Sequence, residues 1–228
     1  AIPAGGPEYE TLGTMGTSTL VDDIEAVTKA NDLCNRYGMD TISVGQIISF
    51  AFEAYQKGYI TKQDTNGLEL TWGNADALVG LTELTGKRQG IGYTLSKGVK
   101  QANKELTNGD LDLDIHVKDL KFPSHDPRAF VTVALGFATS PRGACHLQAY
   151  SHGIETNWGT IPELGFEKPL DDMTSTKRKV ELTIKMQNFM SIFDSIKLCK
   201  FVLYYGVTLT KVTEWLNHIT GWDISVND

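Results

Sequence analysis

The sequence has few of the residues that define several common classes of protein. Its 228 residues include only three cysteines, Cys34, Cys145 and Cys199, which are far apart and odd in number. This distribution does not predict a disulfide framework and fits a reducing compartment, so we expect a cytoplasmic protein. Because no C-x-x-C motif is present, the chain cannot by itself supply the four thiolates of a zinc or iron–sulfur site.

Long apolar runs and an excess of basic residues are also lacking. No uninterrupted apolar run reaches the roughly 18 residues that predict a membrane span, and no signal peptide is recognisable. The formal net charge of −7 argues against a general nucleic-acid-binding protein, which would present a basic face. We therefore expect neither a membrane nor a nucleic acid among its partners. The 41% hydrophobic content is that of a globular protein with one large or two small cores.

Several familiar site motifs are incomplete. The G-x-G of residues 90–92 lacks the third glycine and the preceding strand of a dinucleotide fingerprint, so a turn feeding a helix is the better interpretation. The alternating aspartates of residues 110–114 lack the glycine and glutamate of a calcium-binding loop. None of the histidines has the H-E-x-x-H spacing of a helical zinc site. They are scattered along the chain at His116, His125, His146, His152 and His218.

Apolar periodicity predicts a mainly α, multihelical protein with little strand. One helix is predicted from a cap at Thr19 or Asp22 to about residue 37, and a second from a cap at Thr41 or Ser43 to about residue 57. Further helices are predicted over residues 74–85, 126–138, 174–205 and 209–220. The helical period is lost between residues 107 and 124. We expect two orthogonally packed helical domains, residues 1–115 and 116–228, cut from a longer chain.

Two similar six-residue segments end two of the predicted helices. The first hexad, residues 35–40, reads N-R-Y-G-M-D, and the second hexad, residues 194–199, reads D-S-I-K-L-C. A glycine such as Gly38 can take the left-handed conformation that ends a helix. Carbonyls, a carboxylate and the thiolate of Cys34 or Cys199 would then project from one corner. Such a corner suits a flat heterocycle with several N–H donors, or a metal cluster, although ordinary helix termination is the more common explanation of either hexad taken alone.

The string S-P-R-G-A-C-H of residues 140–146 is the most unusual local sequence. It places a cation, a thiol and an imidazole, those of Arg142, Cys145 and His146, within a few residues. Its small residues would let the backbone approach a ligand, and polar clusters of this kind favour functional sites. The alternative is a structural loop with a hydrogen-bonded histidine and a buried cysteine.

These motifs and several others follow one another in an order that resembles a known family. The order is G-P-E-Y-E-T-L-G, N-x-x-G-M-D-T-I-S, W-G-N-A-D-A, G-I-G-x-x-L-S-K-G-V, D-P-R, R-G-A-C-H and D-x-x-K-L-C. Together they resemble the two C-terminal helical domains of the tungsten- or molybdenum-pterin aldehyde:ferredoxin oxidoreductases. The resemblance covers nearly the whole chain.

The resemblance implies cofactors and ligands. In this family two pterins jointly hold one tungsten, or molybdenum, and hexads of this type contact the pterins. Asn35 and Asp40 would contact one pterin, and Asp194 and Leu198 the other, because a carboxylate accepts strong charge-assisted bonds from an aminopyrimidine edge. Cys199 would be one ligand of a 4Fe-4S cluster. The companion cysteines of the family lie upstream of the region that this chain covers.

The resemblance also implies a reaction. Glu10 and His146 match an acid–base pair beside the metal, where a carboxylate and an imidazole can move protons while an aldehyde is oxidised to a carboxylic acid. Ferredoxin would accept the electrons, a missing N-terminal domain would complete the site, and the full protein could form a homo-oligomer. We expect the isolated fragment to be inactive and to bind neither cofactor tightly.

Two residues depart from the family pattern. Asn35 stands where an aspartate is usual, and an amide can donate as well as accept. Lys197 stands where a glycine is usual, which puts the backbone geometry of the second hexad in question. The alternative reading is therefore a structural or binding subunit that kept the fold and lost catalysis. A further alternative is an unrelated helical domain.

Overall fold

The computed structural model describes residues 5–156, 159–170 and 175–227. Within these residues no β-strand is found, and the extended segments form only isolated bridges, Val117 with Leu120 and Ile161 with Phe166. The prediction of a mainly α, multihelical protein is confirmed. None of the helices in the described ranges is both long enough and apolar enough to cross a membrane.

The chain divides into two compact units. Unit 1 comprises Ala1–Ser124 and Arg142–Ala144, and unit 2 comprises His125–Pro141 and Cys145–Asp228. Each unit has its own apolar core. The domain limits at residues 115 and 116 stay a prediction.

Unit 1 is built from six helices in its described residues. Helix α1 continues as a π-helical turn, Leu12–Gly16, and a 3-10 turn, Thr17–Thr19. A further 3-10 turn covers Leu111–Leu113. The helices are α1 (Tyr9–Thr11), α2 (Ile24–Tyr37), α3 (Thr41–Gln56), α4 (Ala75–Lys87), α5 (Ile91–Leu95) and α6 (Val99–Thr107).

Helix α3 lies in the core of unit 1. Its apolar residues are buried around most of its circumference, including Ile48, Ala51 and Phe52, as expected of a helix that is surrounded by other elements. Gly45 lets the π-helical turn approach closely, because a Cβ at this position would lie 2.6 Å from the carbonyl carbon of Thr14. The α1 region is therefore fixed directly against α3.

The capping residues of unit 1 correct part of the prediction. Asp23, and not Thr19 or Asp22, caps α2, since its Oδ1 accepts the backbone N–H groups of residues 25 and 26 at 2.9 and 3.1 Å. Helix α3 is capped by Asp40 rather than by Thr41 or Ser43. The predicted caps were therefore misplaced by one to four residues, although the helices themselves were predicted correctly.

Unit 2 is organised around one long helix. A 3-10 turn, Pro162–Leu164, precedes this helix, and another, Lys200–Tyr205, follows it. The helices are α7 (Val131–Thr139), α8 (His146–Ala149), α9 (His152–Glu155), α10 (Lys179–Ile196) and α11 (Leu209–Thr220). The core forms mainly on one stripe of α10. The buried residues of this stripe recur at helical spacing as Leu182, Met186, Phe189, Met190 and Phe193.

Two helices of unit 2 differ from the prediction in their limits, and a third agrees. Asp126 does not cap α7, because residues 126–129 form a separate turn and Phe130, with φ −124° and ψ 97°, is extended before the helix begins. The predicted helix of residues 174–205 starts later and ends at Ile196, where Lys197 takes a left-handed conformation. Thr174 lies outside the described residues. Helix α11 has the predicted limits and ends at Gly221.

Candidate functional site

The first hexad forms the corner between α2 and α3. Gly38 has φ 68° and ψ 37°, the left-handed conformation that ends α2. The N–H of Met39 then donates to the carbonyl of Cys34 at 2.8 Å. Asp40 starts the next helix, since its Oδ2 accepts the N–H of Ser43 at 2.7 Å. The carboxylate is thus held at the corner by its capping bond.

The second hexad forms the corresponding corner in unit 2. Lys197 has φ 61° and ψ 31°, and its N–H donates to the carbonyl of Asp194. The N–H of Leu198 donates to the carbonyl of Phe193 at 2.9 Å. Cys199 then precedes the 3-10 turn, with φ −64° and ψ 126°. Its thiol is free and exposed.

The two hexads therefore follow the same backbone path. Asp40, with φ −72° and ψ 123°, has the same extended conformation as Cys199. In each hexad the fifth residue, Met39 or Leu198, donates its N–H to the carbonyl five positions back, as in a Schellman ending. The lysine at position 197 keeps this geometry, although a side chain in the left-handed region costs of the order of 1 kcal/mol or more.

A cavity of about 310 Å³ lies beside the first hexad, entirely within unit 1. This volume is at the lower end of the range for small-molecule sites. Asn35 is exposed near the end of α2 and does not line the cavity. Residues that line it and bear on its chemistry are Tyr37, Gly38, Asp40, Arg88, Asp119 and Lys121.

Cys34 does not contribute a thiolate to this corner. The side chain is completely buried in the core of unit 1. Burial, and then the negative charge of Asp40, raise the pKa of its thiol to about 12. The thiol therefore remains protonated near neutral pH, and the expectation that Cys34 projects a thiolate with the first hexad is wrong.

The second hexad is linked to the helix that begins with His146. Lys200 Nζ donates to Asp194 Oδ2 at 2.9 Å and to the carbonyl of Leu147 at 2.9 Å. Leu198 is half-buried and packs against the core of unit 2. One ammonium group thus fixes the exposed carboxylate of the hexad relative to α8.

His146 is buried among other imidazoles in unit 2. Its ring stacks on that of His125, with 4.5 Å between centroids and 10° between planes. His152 lies 4.3 Å from His125 and 6.0 Å from His146, again between centroids. Burial, followed by the neighbouring His125 and His146, lowers the pKa of His152 to about 3. The environment of His152 therefore disfavours protonation of its ring.

A buried ion pair fixes the helix that carries His152. Lys179 Nζ lies 2.6 Å from Glu155 Oε1, and both side chains are almost completely inaccessible to solvent. The same carboxylate accepts the Thr132 backbone N–H at 3.2 Å and its hydroxyl at 2.5 Å. Helices α7, α9 and α10 are joined through this network. A charge buried with its partner and further hydrogen bonds avoids the full cost of desolvation.

Glu10 is buried in α1, in unit 1. Its Oε2 accepts the backbone N–H of Ser124 at 2.8 Å, and Gly13, one turn further on, lies so close to Ser124 that a Cβ there would clash with its hydroxyl. A buried carboxylate that is oriented by a backbone donor has the setting of a general acid or base.

The sequence did not indicate His125, His152, Glu155 or Lys179 as parts of a site. Their only local signal is the spacing of His146 and His152 on either side of Tyr150, which matches no metal or catalytic motif. In the string of residues 140–146, Gly143 allows a close approach of protein backbone, since a Cβ there would lie 2.2 Å from the carbonyl oxygen of Val117. This glycine therefore packs against the chain itself.

With a helix corner in each unit and an imidazole cluster in unit 2, the described residues define a multihelical protein of the all-α class. The family model described as aldehyde ferredoxin oxidoreductase, domains 2 and 3, matches residues 1–228. The chain belongs to this family.

Curated relatives agree with the family assignment. The tungsten-containing aldehyde ferredoxin oxidoreductase of Pyrococcus furiosus is 31% identical over 224 residues, which are 98% of this chain and 35% of the relative. The protein of the same name from Pyrococcus horikoshii is 32% identical over 226 residues, 98% of this chain and 36% of the relative. A Pyrococcus furiosus protein named aliphatic sulfonate oxidoreductase, WOR-like subunit, is 28% identical, over 96% of this chain and 31% of the relative. The chain spans about a third of the length of the curated relatives it matches.

Proposed function

We propose that this chain is the part of a tungstopterin oxidoreductase that holds the cofactor's two pterins, one at each hexad, in a protein that oxidises aldehydes to carboxylic acids. The observation that carries the proposal is the shared backbone path of the two hexads, each of which presents a carboxylate, Asp40 or Asp194, at a helix corner. The names of the tungsten-containing relatives support the choice of metal and substrate.

The donor sets fit a pterin. A pterin presents an edge of N–H donors, and each hexad offers a carboxylate and neighbouring backbone carbonyls to accept them. Asp40 Oδ2 is used by the capping bond to Ser43, and the structure gives Oδ1 no protein partner among the described residues. Asp194 is 55% exposed and is held by Lys200. Asn35 would contribute an amide where the family has an acid, and Leu198 would contribute its backbone.

The tungsten and its pterins, when bound, supply the redox chemistry of aldehyde oxidation. Proton movement falls to Glu10 and His146 in the proposal. The Ser124 N–H holds the Glu10 carboxylate through Oε2, and the neighbouring imidazoles orient and desolvate the ring of His146. A ring nitrogen of His146 and a carboxylate oxygen of Glu10 would exchange protons with the substrate and the attacking water.

Cys199 is the proposed ligand of a 4Fe-4S cluster. A cluster of this kind needs four thiolates, and this chain has three cysteines, of which Cys34 is buried and protonated. Cys199 is exposed at the end of the second hexad and is therefore suited to join thiolates from elsewhere. In this proposal an N-terminal domain supplies the remaining ligands, ferredoxin accepts the electrons in the cytoplasm, and the isolated chain is inactive.

The test uses the protein in its natural length, produced with tungstate. Tungsten content and aldehyde-dependent reduction of an electron acceptor are measured for the parent and for the Asp194→Asn variant. We expect stoichiometric tungsten and aldehyde oxidation in the parent and a loss of both in the variant. Asp76→Asn is the matched control, because Asp76 is exposed in the first turn of α4 and does not line the cavity. Parent protein without tungsten or activity would support the alternative of a non-catalytic subunit.

A second candidate substrate is an aliphatic sulfonate, and the name of one relative favours it. The same assay distinguishes the two substrates. Turnover of an alkanesulfonate by tungsten-loaded protein, with no turnover of aldehydes, would replace the aldehyde assignment and leave the assignment of the pterin contacts unchanged.

A further inference from the structure

Two cationic side chains line the cavity beside the first hexad without an ion-pair partner. Neither Arg88 nor Lys121 has a carboxylate within 4.0 Å among the residues that the structure describes. By contrast, Asp119, which also lines the cavity, lies 3.5 Å from Lys100. The cavity therefore contains two cations that no described carboxylate contacts, although the carboxylates of Asp40 and Asp119 also line it.

The setting of Lys121 is costly for a lone cation. Its only described aromatic contact is weak, since its Nζ lies 5.8 Å from the centroid of the Phe50 ring, close to the outer limit of a cation–π interaction. Burial lowers the pKa of its amine to about 8, against a smaller opposing effect of Glu53 and Asp114. A partly desolvated ammonium without a hydrogen-bonded anion is unfavourable, and binding of an anion would remove this cost.

A strained turn sets the position of Lys121. Lys118 and Asp119 both have positive φ, 50° and 65°, in a tight hairpin whose outer residues, Val117 and Leu120, exchange backbone hydrogen bonds at 3.0 Å. Such a turn usually contains glycine or asparagine. Gly143 packs directly against the Val117 carbonyl and fixes the hairpin. Strain that the surrounding structure maintains is concentrated at functional sites.

Arg88 also has a backbone conformation with positive φ. With φ 53° and ψ 44°, it is the left-handed residue that ends α4. Beside it, Gly86 lets the Tyr37 ring lie on α4, because a Cβ there would be 2.3 Å from that ring. Tyr37 belongs to the first hexad, so this wall of the cavity and the hexad are in direct contact.

We propose that Lys121 and Arg88 bind the anionic group, a phosphate, of the ligand whose heterocycle lies against the first hexad. This inference rests on the proposed function, because it takes the heterocycle to be a pterin. In this arrangement Asp40 accepts the N–H groups of the ring, and the two cations bind the phosphate. Arginine offers a planar fork and lysine a point charge, which are the usual pair for phosphate recognition.

The test measures binding of neopterin, neopterin 3′-phosphate and inorganic phosphate by calorimetry. The protein is used in its natural length, purified from cells that cannot make the pterin cofactor. We expect neopterin 3′-phosphate to bind at least about tenfold more tightly than neopterin to the parent, the ratio typical of a charge-assisted hydrogen bond. In Lys121→Met this ratio should fall about tenfold, and the affinity for neopterin should not change.

Two further variants make the test specific. Arg88→Asn removes the second cation with a residue that tolerates the left-handed conformation, and should lower the same ratio. Lys104→Met removes an exposed lysine of α6 outside the cavity and should leave the ratio of the two pterin affinities unchanged. Circular dichroism confirms that each variant is folded.

The outcomes separate this inference from the proposed function. If both pterins bind with equal affinity in the parent and in Lys121→Met, the phosphate assignment is wrong and the pterin site stands. If inorganic phosphate binds and its affinity does not depend on either cation, the assignment is also wrong. If neither pterin binds, the pterin assignment of the first hexad fails, and this inference fails with it.

Discussion

Gly38 and Lys197 have nearly the same backbone conformation, with φ, ψ of 68°, 37° and 61°, 31°. They occupy the same place in two hexads that lie about 160 positions apart in the sequence. Lysine is disfavoured in this conformation because its Cβ approaches the following carbonyl. The second hexad has thus kept the geometry of the helix ending without the residue that best accommodates it.

The first prediction concerns this strain. Lys197→Gly should raise the free energy of unfolding by about 1 kcal/mol, because glycine takes the left-handed conformation without the Cβ penalty. Gly38→Ala should lower it by a similar amount, since the space for a Cβ is open and only the backbone is strained. Urea titration measures both changes. Equal stability of Lys197→Gly and the parent would show that the left-handed conformation at position 197 has no cost.

The second prediction concerns the two roles of Asp40. Asp40→Ala should destabilise the protein by about 1 kcal/mol, because α3 loses its cap. Asp40→Asn should retain most of this stability, since an asparagine oxygen can still accept the Ser43 N–H. The two variants therefore separate capping from ligand binding. If Asp40→Asn were as unstable as Asp40→Ala, the variant would have lost the cap as well. A loss of cofactor from Asp40→Asn could then not be assigned to a lost contact between Asp40 and the cofactor.

The third prediction concerns the buried pair Lys179–Glu155. Lys179→Met should cost about 3–5 kcal/mol of unfolding free energy, because it leaves a buried carboxylate without its counter-charge. The double variant Lys179→Met with Glu155→Gln should lose less than the sum of the single changes. Lys87→Met, which breaks a solvent-exposed pair with Glu83, is the control and should cost under about 1 kcal/mol. Additive single changes would show that the two groups are not coupled.

The fourth prediction concerns pH and His152. The folded protein lowers the pKa of this imidazole from 6.5 to about 3, first through burial. Between these values the unfolded chain binds more protons, so stability should fall as pH falls from about 6.5 towards about 3. The His152→Gln variant should lack this component when its unfolding free energy is compared with that of the parent across the range. Parallel curves for the two proteins would contradict the shift.

Local features of the fold could be predicted from the sequence more fully than long-range ones. The limits of α11, the cap at Asn74 and the corner at the first hexad depend on neighbouring residues, and the pattern showed them. The capping residue of α2 was misplaced, because several acidic and hydroxyl side chains compete within a few positions. The break at Lys197 was missed in the helix limits, since lysine usually continues a helix.

The candidate site depends more on tertiary packing. His125 and His152 join His146 only after the loops between them fold, and no spacing in the sequence encodes that contact. Likewise, the pairing of Lys179 with Glu155 crosses 24 positions without a local pattern. Lys121 lies where the helical period is lost, so its cavity could not be located from periodicity. The resemblance to the family, by contrast, depended on ordered local motifs and is confirmed.

The most direct test of the central claim is the number of pterins per chain. Protein of natural length, produced with tungstate, is oxidised to release the fluorescent pterin derivative, which is counted together with tungsten for the parent, Asp40→Asn and Asp194→Asn. The account predicts a pair of pterins and one tungsten per chain in the parent, and a clear loss of pterin in each variant while the variant keeps most of the parent's stability. Full pterin and tungsten content in both variants would contradict the claim that the two hexads hold the cofactor.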